Sequence, residues 1–506
     1  EDQPVPDLLA SLVDKSLIRF EDQDDSERYR MVEMVRHFAS EKLVESGEQE
    51  TIRAKHRHWC ALFAERAAAG ILGVEQPRWM RALIFEYDNF RHALAFAPQE
   101  ESAIQDTLRL AGALWRYWYS RGQFVEGKEA LERVLHQDAR AIPTPALALS
   151  LHGLGVMHFR LGEFTEAEYT HRQALAIREA IQDHPGIVES RFNLANIASQ
   201  TSRREEAIVL WQDCIQDWES LGNHRMAGLA LGNLGTAEIE RGHYQAGRDY
   251  YERSWKALIK NGDPHTIVWA ESQLANADQD LGHLAEAQAR HESCLQTFIK
   301  MGDKRAIAWT LHKLGAIAFD RGTMPEAEEK LNQANDLFVE ISDPQGLAWT
   351  HLGLANVHLW RNDLKKALER IESAHRLFQQ EGNERSLSRS HLALAVYHLQ
   401  AGDLMKAESE FLVSIQMLQR LRDLGGMEVL EYYSRFLAAR NQPSRAAIVL
   451  GFSAQIRAQI AHPASPLEQK EIEKLVQSLQ GQLGPSFDSR WQTGANFSWD
   501  QIFEQS

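Results

Sequence analysis

Apolar residues in this chain recur three or four positions apart, and between residues 108 and 461 no stretch alternates with the two-residue rhythm of a strand. The region therefore reads as a succession of amphipathic helices. Those helices repeat. An apolar–small pair stands at Leu154-Gly155, Leu194-Ala195, Leu234-Gly235, Leu274-Ala275, Leu314-Gly315, Leu354-Ala355 and Leu394-Ala395, each 40 residues beyond the last. Twelve residues after the small member comes another small residue, at Ala167, Ala207, Gly247, Ala287, Ala327, Ala367 and Ala407. Between them lies a breaker: Gly162, Ser202, Gly242, Gly282, Gly322, Asn362 or Gly402. The breaker predicts a left-handed turn that ends one helix before the next begins, so each unit is a helix hairpin.

A second marker, Asp183, Asn223, Asp263, Asp303, Asp343, Asn383 and Asp423, usually follows Gly and stands where one unit gives way to the next. That dipeptide suits a helix stop followed by an N-cap. Small residues at fixed positions let two antiparallel helices approach closely. A hairpin with one apolar face cannot bury it alone, so the units must stack. Extending the pattern to Leu114-Trp115, Gly122 and Gly127 upstream and to Ala447 downstream predicts about nine units over residues 108–461, the outer two degenerate.

The motif Leu151-x2-Leu154-Gly155-x2-His158, followed by Ala167 and Ala174, resembles the tetratricopeptide repeat, and the 40-residue spacing resembles its longer-helix variant. The resemblance implies an all-α, right-handed superhelical solenoid. Where the family carries Tyr, this chain has His158, Ala198, Glu238, Asp278, Ala318, His358 and His398, which predicts looser or more polar interhelix contacts.

Residues 1–46 follow another pattern. Leu8 to Ile18 reads as a helix running into a strand, Asp22 to Glu27 as an acidic turn, Tyr29 to Met31 as a returning strand, and Met34 onward as a helix. This run resembles the end of the winged-helix domain that follows the nucleotide-binding core in STAND and NB-ARC-type signalling ATPases, including bacterial regulators. Residues 47–107 read as a helical linker, in which Trp79 and Tyr87-Asp88-Asn89-Phe90-Arg91 resemble the helix that joins winged helix to repeats in such regulators. Residues 462–506, with Phe487-x3-Trp491-x2-Gly494, resemble their closing tail and are expected to form a polar-faced helical cap on the stack. The parent ATPase itself is missing from the pattern: no G-x4-G-K-[ST] loop occurs, and the only Gly-Lys pair, Gly127-Lys128, is followed by Glu129. No cofactor is expected. A first residue other than Met, in a segment that opens mid-pattern, predicts a piece of something larger whose effector domain lies upstream.

Composition narrows the partners. A chain of 506 residues exceeds what one core can organise. With 55 Lys+Arg against 71 Asp+Glu its net charge is −16, which opposes long-range attraction to nucleic acid or anionic lipid. The winged-helix segment is itself richer in acids than in bases, which argues against direct DNA binding. Three cysteines, Cys60, Cys214 and Cys294, cannot make a disulfide framework and fit a reducing cytoplasm. No window reaches 18 continuous apolar residues, so no spanning helix and no membrane partner is expected.

Neither G-x-S-x-G nor H-E-x-x-H occurs, and no enzyme chemistry is expected of this chain. His351, His358, His391 and His398 stand two helical turns (about 10.5 Å) or one repeat apart, which suits packing and interhelix hydrogen bonds better than one shared metal ion. Cys214 and Cys294 occupy the small-residue position of second helices. Function is expected along the inward row of the first helices, which by resemblance to peptide-binding repeats recurs at intervals of four, three and four residues. The row begins with Arg109, Arg116 and Arg160, and continues through Glu189, Asn193, Asn196, Asn233 and Glu240. It then passes Trp269, Gln273, Asn276, Asp280, Trp309, Lys313, Asp320, Trp349, Asn356 and Trp360, and closes on Arg389, Val396 and Gln400. A basic end thus gives way to an amide-rich middle and then to a Trp ladder edged with acids. Amides suit an extended peptide backbone, Trp residues suit anchoring, and the acids favour a basic ligand group. Packing between first helices is the competing role for the Trp residues. The expected function is a sensor module whose concave face binds a peptide, protein or small-molecule inducer and so controls the nucleotide-binding core of its parent; a passive scaffold for protein assembly is the alternative.

Overall fold

The computed structural model describes residues 4–23, 26–71, 75–95, 100–135, 142–422 and 424–504. The chain divides into two compact units, residues 1–207 and 208–506. In the first, α1 (Val5–Asp14) leads into an antiparallel hairpin, β1 (Ile18–Gln23) and β2 (Ser26–Met31), and then α2 (Glu33–Glu45). Pairing runs from Ile18 opposite Met31 to Gln23 opposite Ser26, so the strands extend through most of the span expected as an acidic turn. Ladder bonds join backbone groups whatever the side chains, and the acids are therefore no obstacle. Asp24 and Asp25 lie outside the described residues. Neither α1 nor α2 buries a side chain. Ile18 is the one buried residue among those described in this segment. Arg28 ties the hairpin to the next layer, donating to the Phe85 carbonyl at 2.7 Å with its guanidinium over the Phe85 ring.

That layer is α3 (Gln49–Gly70) and α4 (Gln76–Ala95), which approach so closely that a Cβ on Gly70 would fall 2.0 Å from the Trp79 indole. The first repeat hairpin follows as α5 (Glu101–Arg121) and α6 (Phe124–Leu135), then α7 (Pro145–Arg160) and α8 (Phe164–Ala180). The boundary expected between residues 107 and 108 therefore falls inside α5. Cys60, Phe90, Leu108, Leu114, Leu131 and Leu151 share one core, so α3 and α4 are the layer on which the hairpins begin to stack. The pair α9 (His184–Gln200) and α10 (Arg204–Ser220) carries the division between the units within α10.

The second unit continues as α11 (His224–Glu240), α12 (Tyr244–Asn261), α13 (Pro264–Asp280), α14 (Leu284–Met301), α15 (Lys304–Asp320) and α16 (Met324–Glu340). Then come α17 (Pro344–Trp360), α18 (Leu364–Glu381), α19 (Glu384–Gln400), α20 (Leu404–Leu421), α21 (Glu428–Ala439) and α22 (Pro443–Ile460). Nine helix hairpins, α5/α6 to α21/α22, are thus present among the described residues. All seven breakers adopt the left-handed conformation, and Asp183, Asn223, Asp263, Asp303, Asp343 and Asn383 each accept a backbone N–H in the first turn of the next helix. Each such cap contributes about 1 kcal/mol. Asp423 lies outside the described residues. Ala167, Ala207, Ala287, Ala327, Ala367 and Ala407 are fully buried in the seam between first and second helices. At α11/α12 the seam is a glycine pair, where a Cβ on Gly247 would stand 3.0 Å from the Gly235 carbonyl oxygen.

At three of the family's Tyr positions the contacts are polar, while Ala198 and Ala318 are buried and apolar. His158 Nδ1 lies 2.6 Å from Glu163, Glu238 takes His243 at 2.6 Å and Arg241 at 3.1 Å, and the fully buried Asp278 accepts from Arg248 at 2.7 Å and Arg290 at 3.1 Å.

The C-terminal helices α23 (Pro466–Leu483), α24 (Ser486–Ala495) and α25 (Trp499–Glu504) do more than the expected polar-faced cap. They close the last hairpin, with Leu479, Phe487 and Ile502 in one core with Leu430 and Phe452. The segment leading into α23 also returns along three earlier hairpin turns. Ile460 reaches the turn at Gly242, where Leu424 from the turn before α21 also packs, Pro463 the turn at Gly282 and Leu467 the turn at Gly322. Ile460 packs with Tyr244 and Leu281, and Leu467 with Ala318, Met324 and Phe319. Apolar area buried this way stabilises the return at about 25 cal/mol per Å².

Candidate functional site

Of the expected first-helix candidates Val396 alone is buried. Arg160, Glu240, Asn356, Trp360 and Gln400 are exposed and the remainder half-buried, whereas the flanking positions, such as Leu274, Ala275 and Ala277 around Asn276, are sealed in the stack.

In the first unit the charges of this row are answered within the fold. Arg109 holds Glu65 with two bonds of 2.8 and 2.6 Å and Asp106 with a third of 2.8 Å. The Arg116 guanidinium lies 4.3 Å from the Trp115 ring centre, and that of Arg160 lies over Tyr119 and Phe124. Glu189 accepts from Arg178 at 3.0 Å and stands 3.7 Å from His152. Burial opposes its charge, but His152, Arg178 and Arg116 outweigh burial and hold the carboxyl below the usual range. Asn193 bonds back to the Glu189 carbonyl at 2.8 Å, and Asn196 is half-buried beside it on α9. A separate cavity of about 380 Å³ opens between α4, α5 and α6, where Trp118 donates to the Tyr87 hydroxyl at 2.7 Å.

The second unit differs. Asn233 and Gln273 are half-buried, and Trp269 covers Gly232, where a Cβ would meet its ring at 3.2 Å. Trp309 packs edge-on against Phe338 at 5.2 Å and Trp349 against Phe378 at 5.3 Å, so both rings fill space between helices. The Asn276 Oδ1 is buried with no hydrogen-bond partner among the described residues. Burial pushes the Asp280 carboxyl up to about 6 in spite of Lys313 and Arg389. Burial also pushes Asp320 up to about 7; Glu468 and Asp280 add to the shift, while a Gln279 hydrogen bond of 2.9 Å and Lys313 oppose it. Both carboxylates end first helices, where the macrodipole disfavours negative charge. The charge of Lys313, on α15, acts on both acids, and Lys313 makes no ion pair among the described residues.

A cavity of about 340 Å³ lies between α17, α19, α21 and α23. Asn356, Trp360, Arg389, Val396 and Gln400 of the expected row line one wall. Tyr432, Arg435, Leu467, Glu468 and Glu471 line the other, and sequence reasoning missed them because α23 lies outside the 40-residue pattern and α21 belongs to a degenerate unit. Arg389 pairs with Glu428 and donates to the Gly425 carbonyl at 3.2 Å. Arg435 stands 3.7 Å from Glu471 and over the Tyr432 ring. Glu468 completes a capping box with Ser465, accepting its N–H at 2.9 Å, and is 3.7 Å from Arg457. Arg457 is already committed to the buried Glu431 through bonds of 2.6 and 3.0 Å.

The four-histidine lattice does not converge: His351 bonds Arg370 at 2.9 Å, and His391 bonds Glu410 at 2.6 Å. Among the described residues no group of His, Cys, Asp and Glu is arranged to hold a metal, and no helix is long and apolar enough to cross a membrane. The three cysteines are free and buried, and burial raises the Cys60 and Cys294 thiols to about 12.

The architecture is that of an all-α helix-hairpin solenoid of the tetratricopeptide type. The tetratricopeptide repeat family profile matches residues 146–210. Over 194 residues the chain is 31% identical to a protein assigned as an HTH-type transcriptional regulator in Mycobacterium bovis, a match covering 37% of this chain and 22% of that protein. The chain thus spans about a fifth of the length of the curated relatives it matches. Among solved structures, the apo form of the quorum sensor NprR from B. thuringiensis superposes with a TM-score of 0.54 at 12% identity, covering 70% of this chain and 97% of that one. The apo form of RapI gives 0.54 at 13% identity, covering 71% and 98%.

Proposed function

We propose that this chain is the sensor part of a larger signal-transduction protein of the STAND type, in which the first-helix face binds a peptide, protein or small-molecule inducer and passes the event to a nucleotide-binding core. One observation carries the reading: polar and aromatic side chains of the first-helix row keep part of their surface accessible, while their immediate neighbours are sealed. Support comes from the fold shared with a quorum sensor and from the resemblance to a protein assigned as a transcriptional regulator. The N-terminal helix–hairpin–helix, with Met34, Phe38 and Val44 exposed, suits a winged-helix end that packs against the core.

Such a switch requires the inducer to bind one arrangement better than the other. The test is thermal unfolding of the 506-residue chain against libraries of short peptides and small metabolites. An inducer present at a hundred times its Kd adds about 2.7 kcal/mol of stability. The double variants Asn193→Ala with Asn196→Ala, and Asn233→Ala with Asn276→Ala, should identify the unit that binds, one pair losing the response while its unliganded midpoint stays near that of the wild type. An inducer that stabilises both pairs as strongly as the wild type binds away from these four asparagines, at another stretch of the row or outside it.

A further inference from the structure

We propose that the cavity between α17, α19, α21 and α23 is the inducer pocket of the second unit, and that it selects an apolar group joined to a cation, with the C-terminal helix α23 as one of its walls. The proposal rests on the sensor reading and deepens it by naming the place and the ligand class. A volume of about 340 Å³ is at the small end of ligand pockets, enough for one or two side chains or a small molecule.

The apolar half of the specificity comes from Leu352, Leu359, Leu392 and Val396 around Trp360. Trp360 differs from the other Trp residues of the row. It is 40% exposed, and among the described residues no ring packs on it, whereas Trp309 and Trp349 are spent on Phe338 and Phe378. An exposed, rigid indole at a pocket mouth is the kind of surface that anchors a ligand.

The cationic half comes from an imbalance in the wall. Arg389 and Arg435 are each matched by a carboxylate, Glu428 and Glu471. Glu468 is left with a share of Arg457, whose two short bonds go to Glu431, and it faces the enclosed Asp320. Charge complementarity therefore favours a ligand ammonium or guanidinium at Glu468 and disfavours an anion.

The chemistry is shared by a Leu-Arg pair in a peptide and by a free arylalkyl amine, and the experiment separates them. Fluorescence polarisation of the 506-residue chain would use a labelled pentapeptide with Leu-Arg at its centre, its Leu-Glu counterpart, and unlabelled phenethylamine as competitor. The Leu-Arg peptide should bind at least about tenfold tighter than the Leu-Glu peptide. Trp360→Ala should weaken it about thirtyfold. Glu468→Gln, which keeps the capping box because Gln also serves at that position, should weaken it about tenfold. Thermal midpoints close to wild type would show that both variants fold. Competition by phenethylamine supports the pocket for small amines; binding without competition supports it for peptides. Absence of binding by both peptides and amine, equal binding of the two peptides, or unchanged binding in both variants overturns the proposal. Binding that survives Trp360→Ala and Glu468→Gln but is lost with Asn233→Ala and Asn276→Ala removes the pocket and leaves the sensor reading standing.

Discussion

The first-helix rows of the two units both carry acids, bases and amides, yet they end in different electrostatic states. In the first unit Arg109 is clamped by Glu65 and Asp106, Arg116 and Arg160 lie over aromatic rings, and Glu189 is held by Arg178. In the second, Asp280 and Asp320 are enclosed without a direct ion pair among the described residues, Lys313 pairs with neither, and Glu468 shares its cation with a buried carboxylate. A charge already matched inside the fold has little left for a ligand, which must displace the partner before it gains anything. An enclosed and poorly matched carboxylate gains from any cation that reaches it. On the proposed sensor reading, the contrast assigns ligand-directed chemistry to the second unit and structural pairing to the first.

The sharpest way to break this contrast is through the Trp residues, which look alike in the sequence. Trp349→Ala should cost about 3 kcal/mol in urea unfolding, because the ring packs against Phe378, while Trp360→Ala should stay within about 0.5 kcal/mol. Similar costs for both would mean that Trp360 also serves the core. Next in size is the pH response of Asp320. Its folded value near 7 lies above the ordinary 3.8, so the folded chain holds a proton that the unfolded chain releases. The associated stability is fully present below about pH 4 and is lost as pH rises through about 7. Asp320→Asn should therefore stabilise the chain by about 1–3 kcal/mol at pH 8 and leave it unchanged at pH 4. His312 acts with the opposite sign: burial lowers it to about 3, so its contribution is present above pH 6.5 and fades as pH falls toward 3. It shapes the acid limb equally in wild type and variant. The smallest effect is expected in the first unit, where Arg109→Gln should cost about 1 kcal/mol at low salt and less at high salt, because the pair with Glu65 is partly exposed. A larger loss that salt leaves unchanged would show that the clamp to α3 is desolvated.

The helical frame that carries the row was legible in advance. The row positions follow from counting four, three and four along helices whose phase is set by the small-residue seam, and all the named candidates except Val396 keep part of their surface accessible. What the row does with its side chains was not legible. Trp309 and Trp349 meet Phe338 and Phe378 of the second helix in the same hairpin, whereas Trp360, one helix end away from Trp349, meets no ring among the described residues. The second wall of the pocket was invisible because Leu467 reaches Phe319, and Glu468 influences Asp320, across a sequence distance that no periodicity spans.

The amino-acid order by itself determined the hairpins, their turns at Gly162 through Gly402, their Asx caps and the alanine seam, because each depends on residues within one turn or one repeat of one another and on the geometry of a helix. Only the tertiary structure decided that α5 begins before the expected start of the array, that the C-terminal segment returns over three earlier turns, and which acids are left enclosed without a direct ion pair among the described residues. Burial and electrostatic matching are properties of what lies nearby in space, and for a stack whose end folds back on itself that neighbourhood is assembled from residues far apart in the chain.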